Sequence, residues 1–378
     1  MRKLSDINIR NKTIALRVDL NVPVDKFIVL DESRIAAILP TIKYLQEKKC
    51  KILILSHFGR PNAGEFDQDF SLNPVRKRLG ELLKYKPAFF KTLDDVHFMH
   101  DISVLENTRF LVGELENNIE LSKEIASLAD VYVFDAFGTA HRAHASTHGA
   151  IECSEISCAG LLLEKETEAL WKATRSYDSP TVSIVGGSKI SSKLGVIKSL
   201  CKISDQVITG GGITNTFLKA QGHKIGRSLC EDSMLEAAIG LLKTSKISLP
   251  NEVVVSKSID SNDSRICSIN SINDDEMILD QVFSTESNDL IAGAKKIIWN
   301  GPVGVFEKEA FSKGTRDLAS AIAASNAFSL AGGGETMLAI KLFINKMDIS
   351  YCSTGGGAFL EFIEGKELPS LSALGFEF

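Results

Sequence analysis

One pattern recurs along the chain and restricts its fold more than any other feature. A short apolar run ends in a polar or glycine-rich turn, and a helical stretch follows. Such runs occupy residues 13–18, 51–55, 131–134, 181–185, 206–209, 296–299, 327–330 and 349–352. Short, continuous apolar strands that are buried on both faces are typical of parallel sheets. Alternation of such strands with helices predicts an α/β fold.

Helical periodicity fills several of the gaps between these runs. Apolar residues recur at three-to-four spacing in residues 34–49, 115–129, 189–202 and 335–346, which predicts amphipathic helices. Residues 261–275 are polar and poorly periodic, and we interpret them as a surface loop or an irregular hairpin. In open α/β sheets, ligands bind beyond the carboxyl ends of the strands. The unusual motifs of this sequence fall at such ends.

Length, charge and cysteine usage narrow the class of protein. The chain has 378 residues and a formal net charge of −5, which predicts two or three domains and disfavours nucleic-acid or membrane-surface binding. Seven cysteines occur without a CxxC spacing, so we expect a reducing compartment and no disulfide framework. We find neither a signal-like amino terminus nor a long apolar run. We therefore expect a cytoplasmic protein with no membrane or nucleic-acid partner.

The turns of the first half of the chain carry acidic, amide and basic side chains. The candidates are Asp19, Asn21, Arg34, His57, Arg60, Arg109 and Arg142. The planar arginine fork donates two parallel hydrogen bonds to a carboxylate or a phosphate. One such arginine alone would be a solvated surface charge, and His57 alone would be a structural histidine. Several of them after buried strands predict a pocket for a compact, multiply charged anion.

A zinc site is an alternative for one part of this half. His141, His144 and His148 precede Cys153 and Cys158. The histidine spacing matches no strong zinc signature, and the two cysteines are too far apart in sequence for a zinc-knuckle pair. We favour a loop that shapes the anion pocket.

The turns of the second half are rich in glycine, at residues 186–187, 210–212, 332–334 and 355–357. Glycine allows backbone N–H groups to approach a phosphate, although tight turns alone would also require it. Lys189 and Lys193 are four residues apart, which predicts one shared side of a helix start within reach of phosphate oxygens. Glu307 and Glu335 are candidates for nucleotide and magnesium contacts. Neither a P-loop nor a dinucleotide-binding glycine fingerprint is present.

The motifs themselves resemble those of a known family. The segments concerned are RVDLNVP (17–23), SHFGRP (56–61), DAFGTAHRAH (135–144), GGSKISSK (186–193), WNGPVGVFE (299–307) and STGGG (353–357). They resemble phosphoglycerate kinases closely and follow the order of that family from about residue 4 to residue 374.

The resemblance implies an architecture of two doubly wound, parallel-sheet (Rossmann-like) domains joined by a long helix, a bilobal hinge-bending kinase. The first domain would comprise residues 1–162 plus 361–378 and bind 3-phosphoglycerate. The second would comprise residues 163–360, begin with the interdomain helix and bind the nucleotide. The helical stretch at 161–177 would be one hinge, and the family implies a monomer.

The resemblance also implies roles for individual residues. It assigns the substrate pocket to Asp19, Leu20, Asn21, Arg34, His57, Phe58, Gly59, Arg60, Arg109 and Arg142. It assigns nucleotide binding to Lys189, Lys193, Gly211, Asn300, Glu307, Gly333, Gly334, Glu335 and Thr336. It assigns stabilisation of the transferred phosphoryl group to Arg34, Lys189, Gly333 and Gly356.

The implied cofactor is Mg²⁺, held with ATP or ADP by Glu335. The family usually has Asp at this position, so the carboxylate here is one methylene longer. The sequence also departs from the family at Gln281-Val282-Phe283, where an Ile-Gly-Pro-like turn is common. We assign no adenine-contacting residues for that reason.

The implied reaction is the reversible transfer of a phosphoryl group between 1,3-bisphosphoglycerate and ADP, which gives 3-phosphoglycerate and ATP. Three alternatives remain open. Another phosphoryl-transfer kinase is disfavoured by the complete arginine and histidine set. A non-catalytic descendant is suggested only by Glu335, and Lys189 and Lys193 argue against it. A dinucleotide-binding oxidoreductase lacks its glycine fingerprint.

Overall fold

The computed structural model describes residues 1–261 and 263–378, which form two compact units. The first unit comprises Met1–Glu168 and Glu367–Phe378, and the second comprises Ala169–Lys366. The predicted boundary at 162–163 and the division between the units both fall within one helix, Leu161–Arg175.

The first unit is built around a six-stranded parallel sheet and a short hairpin. Its strands are β1 (Thr13–Val18), β2 (Val24–Asp25), β3 (Ile28–Val29), β4 (Lys51–Leu55), β5 (Ala88–Phe90), β6 (Ile102–Leu105), β7 (Val131–Asp135) and β8 (Ser157–Ala159). The sheet order is β5-β6-β4-β1-β7-β8, and β2 pairs with β3 in the hairpin. Its helices are α1 (Ser33–Glu47), α2 (Asn73–Leu83), α3 (Ile119–Ser127), α4 (Ala150–Cys153) and the beginning of α5 (Leu161–Arg175).

Local sequence explains these elements. Residues 14–18 of β1 are all buried, as expected for a central strand covered on both faces. Helix α1 buries Ile35, Ile38, Ile42 and Leu45, a three-to-four spacing that packs one stripe against the sheet. The side chain of Asn118 caps α3 by accepting hydrogen bonds from the Glu120 and Leu121 N–H groups. This cap explains why α3 begins later than residue 115.

The second unit repeats the architecture. Its strands are β9 (Thr181–Gly186), β10 (Gln206–Gly210), β11 (Ile247–Ser248), β12 (Glu252–Ser256), β13 (Arg265–Ser268), β14 (Met277–Gln281), β15 (Lys296–Asn300), β16 (Phe328–Ala331) and β17 (Tyr351–Cys352). Its helices are α6 (Leu194–Ile203), α7 (Gly212–Ala220), α8 (Leu235–Leu242), α9 (Thr285–Gly293), α10 (Lys313–Ala324), α11 (Gly334–Phe343) and α12 (Gly356–Ile363). A parallel sheet has the order β11-β10-β9-β15-β16-β17, and an antiparallel sheet has the order β13-β12-β14. The last helix, α13 (Pro369–Ala373), belongs to the first unit.

The structure confirms the predicted α/β class with two parallel-sheet domains and corrects one local prediction. Helix α6 begins at Leu194 rather than at residue 189, because residues 191–193 form a 3₁₀ turn first. Of the two interpretations of residues 261–275, the structure supports the hairpin, because β13 pairs antiparallel with the preceding strand β12 from Arg265 to Ser268. The buried residue of β13 is Cys267, which packs with Val253 and Val255 in a small apolar cluster. Residue 262 lies outside the described residues.

Among residues 1–261 and 263–378, no helix combines the length and apolar character that a membrane span requires.

Candidate functional site

A buried arginine lies at the centre of the sheet in the first unit. Arg17 in β1 is 1% exposed, and its Nε donates to Ser146 Oγ over 2.9 Å. Its Nη2 lies 3.4 Å from Nδ1 of His57, which follows the neighbouring strand β4. Because a guanidinium only donates, Nδ1 is the acceptor, and a neutral His57 carries its proton on Nε2. Arg17 therefore fixes the ring so that it can donate to an anion.

The environment keeps His57 neutral. Burial is the largest cause that lowers the pKa of His57 well below its usual value, and the charges of Arg17, Arg109, Arg142 and Arg34 lower it further. The four arginines come from separate parts of the chain and act on one buried ring. The first unit thus concentrates positive charge at the carboxyl ends of β1 and β4, where a doubly wound sheet binds its ligand.

A cavity of about 430 Å³ opens beside Arg109 and Arg142, two of these arginines. Its lining residues are Arg60, Pro61, Arg109, Leu115, His141, Arg142 and His144. Arg109 is only 8% exposed, and its Nη1 donates to the Gly59 carbonyl. Its Nε is buried without a hydrogen-bond partner among the described residues. An unsatisfied buried donor is costly, so this nitrogen points to an anionic ligand that would satisfy it.

Acceptors and backbone groups lie on the same side of the unit. Arg34 Nη1 donates to Asp19 Oδ2 over 2.7 Å and to the Asn21 carbonyl over 3.2 Å. Asn21 Oδ1 accepts from the Gly59 N–H over 2.9 Å. These bonds connect the turn after β1, the first turn of α1 and the turn after β4. The predicted substrate residues in these turns are therefore brought together.

The two remaining predicted residues shape the walls of this region. The Leu20 N–H donates to Ser56 Oγ over 2.9 Å, and the Phe58 N–H donates to Asn107 Oδ1 over 2.9 Å. Both side chains are buried. Their contribution is to hold the two turns, since neither apolar side chain can bind an anion.

Sequence reasoning missed a buried carboxylate that balances the basic cluster. Glu114 is 1% exposed and accepts from the Ser146 N–H over 2.9 Å and from Thr108 Oγ1 over 3.2 Å. Its charge raises the pKa of Arg109, opposing the larger lowering effect of burial.

Arg17 was also missed as a site residue. Its signal was a charged residue inside an apolar strand, which requires a buried polar partner.

The histidines of the zinc alternative take different positions. His141 and His144 line the cavity, whereas His148 Nδ1 lies 3.1 Å from Asn117 Nδ2 and 3.4 Å from Glu152 Oε2. Within the part of the chain that the structure describes, His, Cys, Asp and Glu side chains form no cluster of three that could hold a metal ion. The histidine at 144 belongs instead to the anion cavity.

We expect His144 to make stability fall in mild acid. Burial, then Arg109 and Arg142, lower the pKa of His144 from 6.5 to about 4. Above pH 6.5 neither state takes up this proton, whereas between pH 6.5 and 4 only the unfolded chain does, so stability falls as pH falls. Replacing His144 with Gln should remove part of this acid-induced loss of folding stability. The part removed should be about 1–2 kcal/mol, after allowance for the partial exposure of the ring.

Urea unfolding at a series of pH values measures this effect, and the exposed His100 replaced with Gln is the control. Equal acid sensitivity of the parent chain and the His144→Gln variant would contradict the prediction.

A half-buried lysine marks the corresponding position in the second unit. Lys193 Nζ donates to the Gly186 carbonyl at the end of β9 over 2.6 Å and to Asn300 Oδ1 at the end of β15 over 2.7 Å. The sheet order changes direction between these two strands, which is where doubly wound sheets bind ligands. Burial lowers the pKa of Lys193 to about 8, and the charge of Glu335 opposes this shift.

A hydrogen-bond network extends from Asn300 to the first turn of α11. Asn300 Nδ2 donates to the Gly332 carbonyl over 2.8 Å, and the Gly301 N–H donates to Thr336 Oγ1 over 2.7 Å. Thr336 is 1% exposed, and Gly333 caps α11. The network aligns the N–H groups at the start of α11 beside Lys193, an arrangement suited to a phosphate.

The glycines divide into two kinds. Gly211 has φ of 65°, and a Cβ there would lie 2.8 Å from the Gly187 carbonyl oxygen, so this glycine allows two strand-end turns to touch. Gly334 and Gly356 open α11 and α12, and a Cβ on either would meet nothing within 4 Å. Open backbone of this kind leaves room for a ligand. The glycine clusters therefore combine tight packing with accessible N–H groups.

The spacing of Lys189 and Lys193 predicted that they share one side of a helix start, and this prediction is wrong. Lys193 ends the 3₁₀ turn and is drawn inward by Gly186 and Asn300, whereas Lys189 precedes that turn and is exposed. Within the described chain, the Lys189 ammonium makes no salt bridge. Glu307 and Glu335 are exposed as well. These three side chains are available to a ligand, while Lys193 is already bonded to protein acceptors.

Comparisons with known proteins agree over nearly the whole chain. A family model described as phosphoglycerate kinase matches residues 4–366. The phosphoglycerate kinase of Vibrio campbellii is 47% identical over 377 residues, which cover 98% of each chain. The phosphoglycerate kinase structure from Coxiella burnetii superposes with a TM-score of 0.94 at 44% identity, covering 99% of this chain and 98% of that one.

A more distant structure gives the same answer. The phosphoglycerate kinase from Pyrococcus horikoshii has a TM-score of 0.83 at 32% identity, again covering 99% of this chain and 98% of that one. Both the sequence match and the two-unit parallel-sheet fold therefore lead to one conclusion. The chain belongs to the phosphoglycerate kinase family.

Proposed function

We propose that this chain catalyses the reversible transfer of a phosphoryl group between 1,3-bisphosphoglycerate and ADP, which gives 3-phosphoglycerate and ATP. The observation that carries the proposal is the convergence of Arg17, Arg34, Arg109 and Arg142 on one buried histidine, His57. Two of these arginines, Arg109 and Arg142, also line an open cavity. A small substrate with a carboxylate and a phosphate matches this charge. The family membership supplies the reaction class, a phosphotransferase with a carboxyl acceptor.

On the substrate side, the arginines would bind the anionic groups through paired N–H donors. The neutral His57 would donate its Nε2 proton to a phosphate or carboxylate oxygen, and Asp19 and Asn21 would accept from the hydroxyl group. Arg60 is exposed at the cavity edge, so it would attract the anion before it is bound.

On the nucleotide side, the switch point between β9 and β15 would hold ADP or ATP. The N–H groups of Gly333, Gly334 and Thr336 would bind phosphate oxygens at the start of α11. Lys193 would exchange one of its protein acceptors for a phosphate oxygen, and Gly211 would allow the close turn beneath the nucleotide. Glu307 offers an exposed carboxylate suited to the ribose hydroxyl groups.

Catalysis itself would rest on position and charge. The acceptor in the ATP-consuming direction is a carboxylate, which is ionised near neutral pH, so no general base is required. Arg34, Lys189 and the N–H groups of Gly333 and Gly356 would stabilise the charge on the transferred phosphoryl group. In-line transfer would follow closure of the two domains, with α5 as one hinge. Equal scattering profiles with and without both substrates would count against closure.

Glu335 fits the expected magnesium ion. Mg²⁺ in nucleotide sites is held by one or two carboxylates together with substrate phosphates and water. Glu335 is exposed in the first turn of α11, beside open backbone, and its charge acts on Lys193. The ion would neutralise phosphate charge when bound. We also propose a monomeric, cytoplasmic enzyme whose partners are these substrates alone.

Turnover of 3-phosphoglycerate with MgATP tests the proposed function, with Glu335→Asp assayed beside the parent chain. We expect both proteins to be active and both to lose activity in excess EDTA, because either carboxylate can hold the ion through phosphate and water. Activity only in the Asp variant would identify a metal-impaired descendant. Two folded but inactive proteins would exclude the kinase and favour a binding protein.

A further inference from the structure

A buried carboxyl group in the second unit has no role in the proposed reaction. Asp280 in β14 is 1% exposed, and its Oδ2 accepts from the Gly314 N–H over 2.7 Å. Its Oδ1 is buried without a hydrogen-bond partner among the described residues. A buried, half-satisfied carboxyl is expensive to maintain, so its position calls for a reason other than stability.

Two glycines make room for this carboxyl group. A Cβ at Gly304 would overlap Oδ1 of Asp280, and a Cβ at Gly314 would lie 2.5 Å from the same atom. Gly314 is at the start of α10, whereas Gly304 is in the segment after β15. The carboxyl group is therefore held between these two parts of the second unit.

The segment that contains Gly304 leads directly to Glu307. The Val305 N–H donates to the Leu279 carbonyl in β14 over 2.8 Å. The Val303 N–H donates to Thr315 Oγ1 over 3.1 Å, and Phe306 is buried in the core. Contacts with β14 and α10 thus fix residues 303–306, and the exposed Glu307 follows the last of them.

We propose that Asp280 is a positioning residue for nucleotide binding, which holds residues 303–306 against β14 and α10 so that Glu307 meets the ribose. The inference rests on the proposed nucleotide role of Glu307. Asp280 acts through the backbone at Gly304 and Gly314 and does not touch the ligand itself.

The charge state of Asp280 guides the choice of variants. Burial raises the pKa of Asp280 to about 7, opposed by hydrogen bonds from the Gly314 and Gln281 N–H groups. The charges that act on it from α10 are Asp317, which raises the pKa, and Lys313, which lowers it. The neutral acid is thus well populated near pH 7, and Asn copies its shape and its acceptor for the Gly314 N–H.

Calorimetric titration of the full chain with MgADP, together with steady-state kinetics, tests the proposal. We expect Asp280→Ala to weaken MgADP binding about tenfold, because small displacements of a positioned group are costly in binding and catalysis. KM for the nucleotide should rise accordingly, while KM for 3-phosphoglycerate stays near the parent value. Asp280→Asn should retain most of the affinity, as expected for a positional role.

Two further variants keep the test decisive. Glu276→Gln alters another buried carboxylate beside β14, one bonded to Arg265 and remote in sequence from residues 303–306, and should bind MgADP as the parent does. Gly304→Ala disturbs the same contact from the other side and should also weaken MgADP binding. It serves as the test if Asp280→Ala fails to fold. Folded Asp280→Ala or Gly304→Ala proteins with parental affinity would overturn the positioning role alone. A parent chain that does not bind MgADP would instead contradict the proposed function.

Discussion

Replacing Lys189 with Met should lower kcat by about 10²- to 10³-fold, the loss typical of removing one preorganised group that stabilises transition-state charge. Lys189 follows the turn at the end of β9, and its ammonium is exposed without a salt bridge among the described residues. Because this ammonium is held in no close ion pair, it is available to the charge that develops on the transferred phosphoryl group. The loss should fall mainly on kcat, with smaller changes in both KM values, because the interaction strengthens in the transition state.

The exposed position of Lys189 makes this a clean substitution. Lys198 lies on the exposed face of the neighbouring helix α6, so Lys198→Met is the matched control and should retain parental kcat. Lys189→Arg keeps the charge and should recover part of the rate. If Lys189→Met turned over at the parental rate while remaining folded, the catalytic assignment of this lysine would be wrong.

The second large effect is expected at Arg109. Lys in its place keeps the positive charge but loses the planar fork and the buried Nε donor, so KM for 3-phosphoglycerate should rise by about 10- to 100-fold. The physical reason is the unsatisfied Nε of this cavity-lining arginine, which an anionic ligand would satisfy. Steady-state kinetics at saturating MgATP measure the change.

Selectivity distinguishes lost recognition from general damage. KM for MgATP should remain near the parental value, because Arg109 lies in the first unit and the proposed nucleotide residues lie in the second. Arg78 on α2 is half-buried and forms ion pairs with Glu32 and Glu81, so Arg78→Lys is the control and should leave both KM values unchanged. Parental affinity for 3-phosphoglycerate in the Arg109→Lys variant would remove this arginine from the pocket.

Much of the fold could be predicted from the sequence because the central strands are continuous apolar runs. Residues 13–18 and 51–55 were predicted as strands with the bounds that β1 and β4 have. Two of the strands that sequence reasoning missed, β5 (Ala88–Phe90) and β11 (Ile247–Ser248), are short and lie at the edges of their sheets. Two or three residues cannot establish a periodicity, so their pairing depends on the partner strand.

The start of α6 shows a different limit. The four-residue spacing of Lys189 and Lys193 suggested one helix face, but tertiary contacts decided the outcome. Gly186 and Asn300 offer acceptors to the Lys193 ammonium, and a 3₁₀ turn brings it within reach of both. Both acceptors are too far from Lys193 along the chain for a local sequence pattern to reveal them. The helix consequently begins one residue after that lysine.

The sequence by itself determined the class of fold, the family and the residue types at the ends of the strands, because buried strands and their turns carry local signals. Only the tertiary structure decided which charges face one another. Glu114 balances the arginines near Ser146, Lys193 turns inward while Lys189 stays exposed, and Asp280 fits between two glycines. Each of these depends on contacts between residues distant in the chain, and burial makes their electrostatic and steric consequences large.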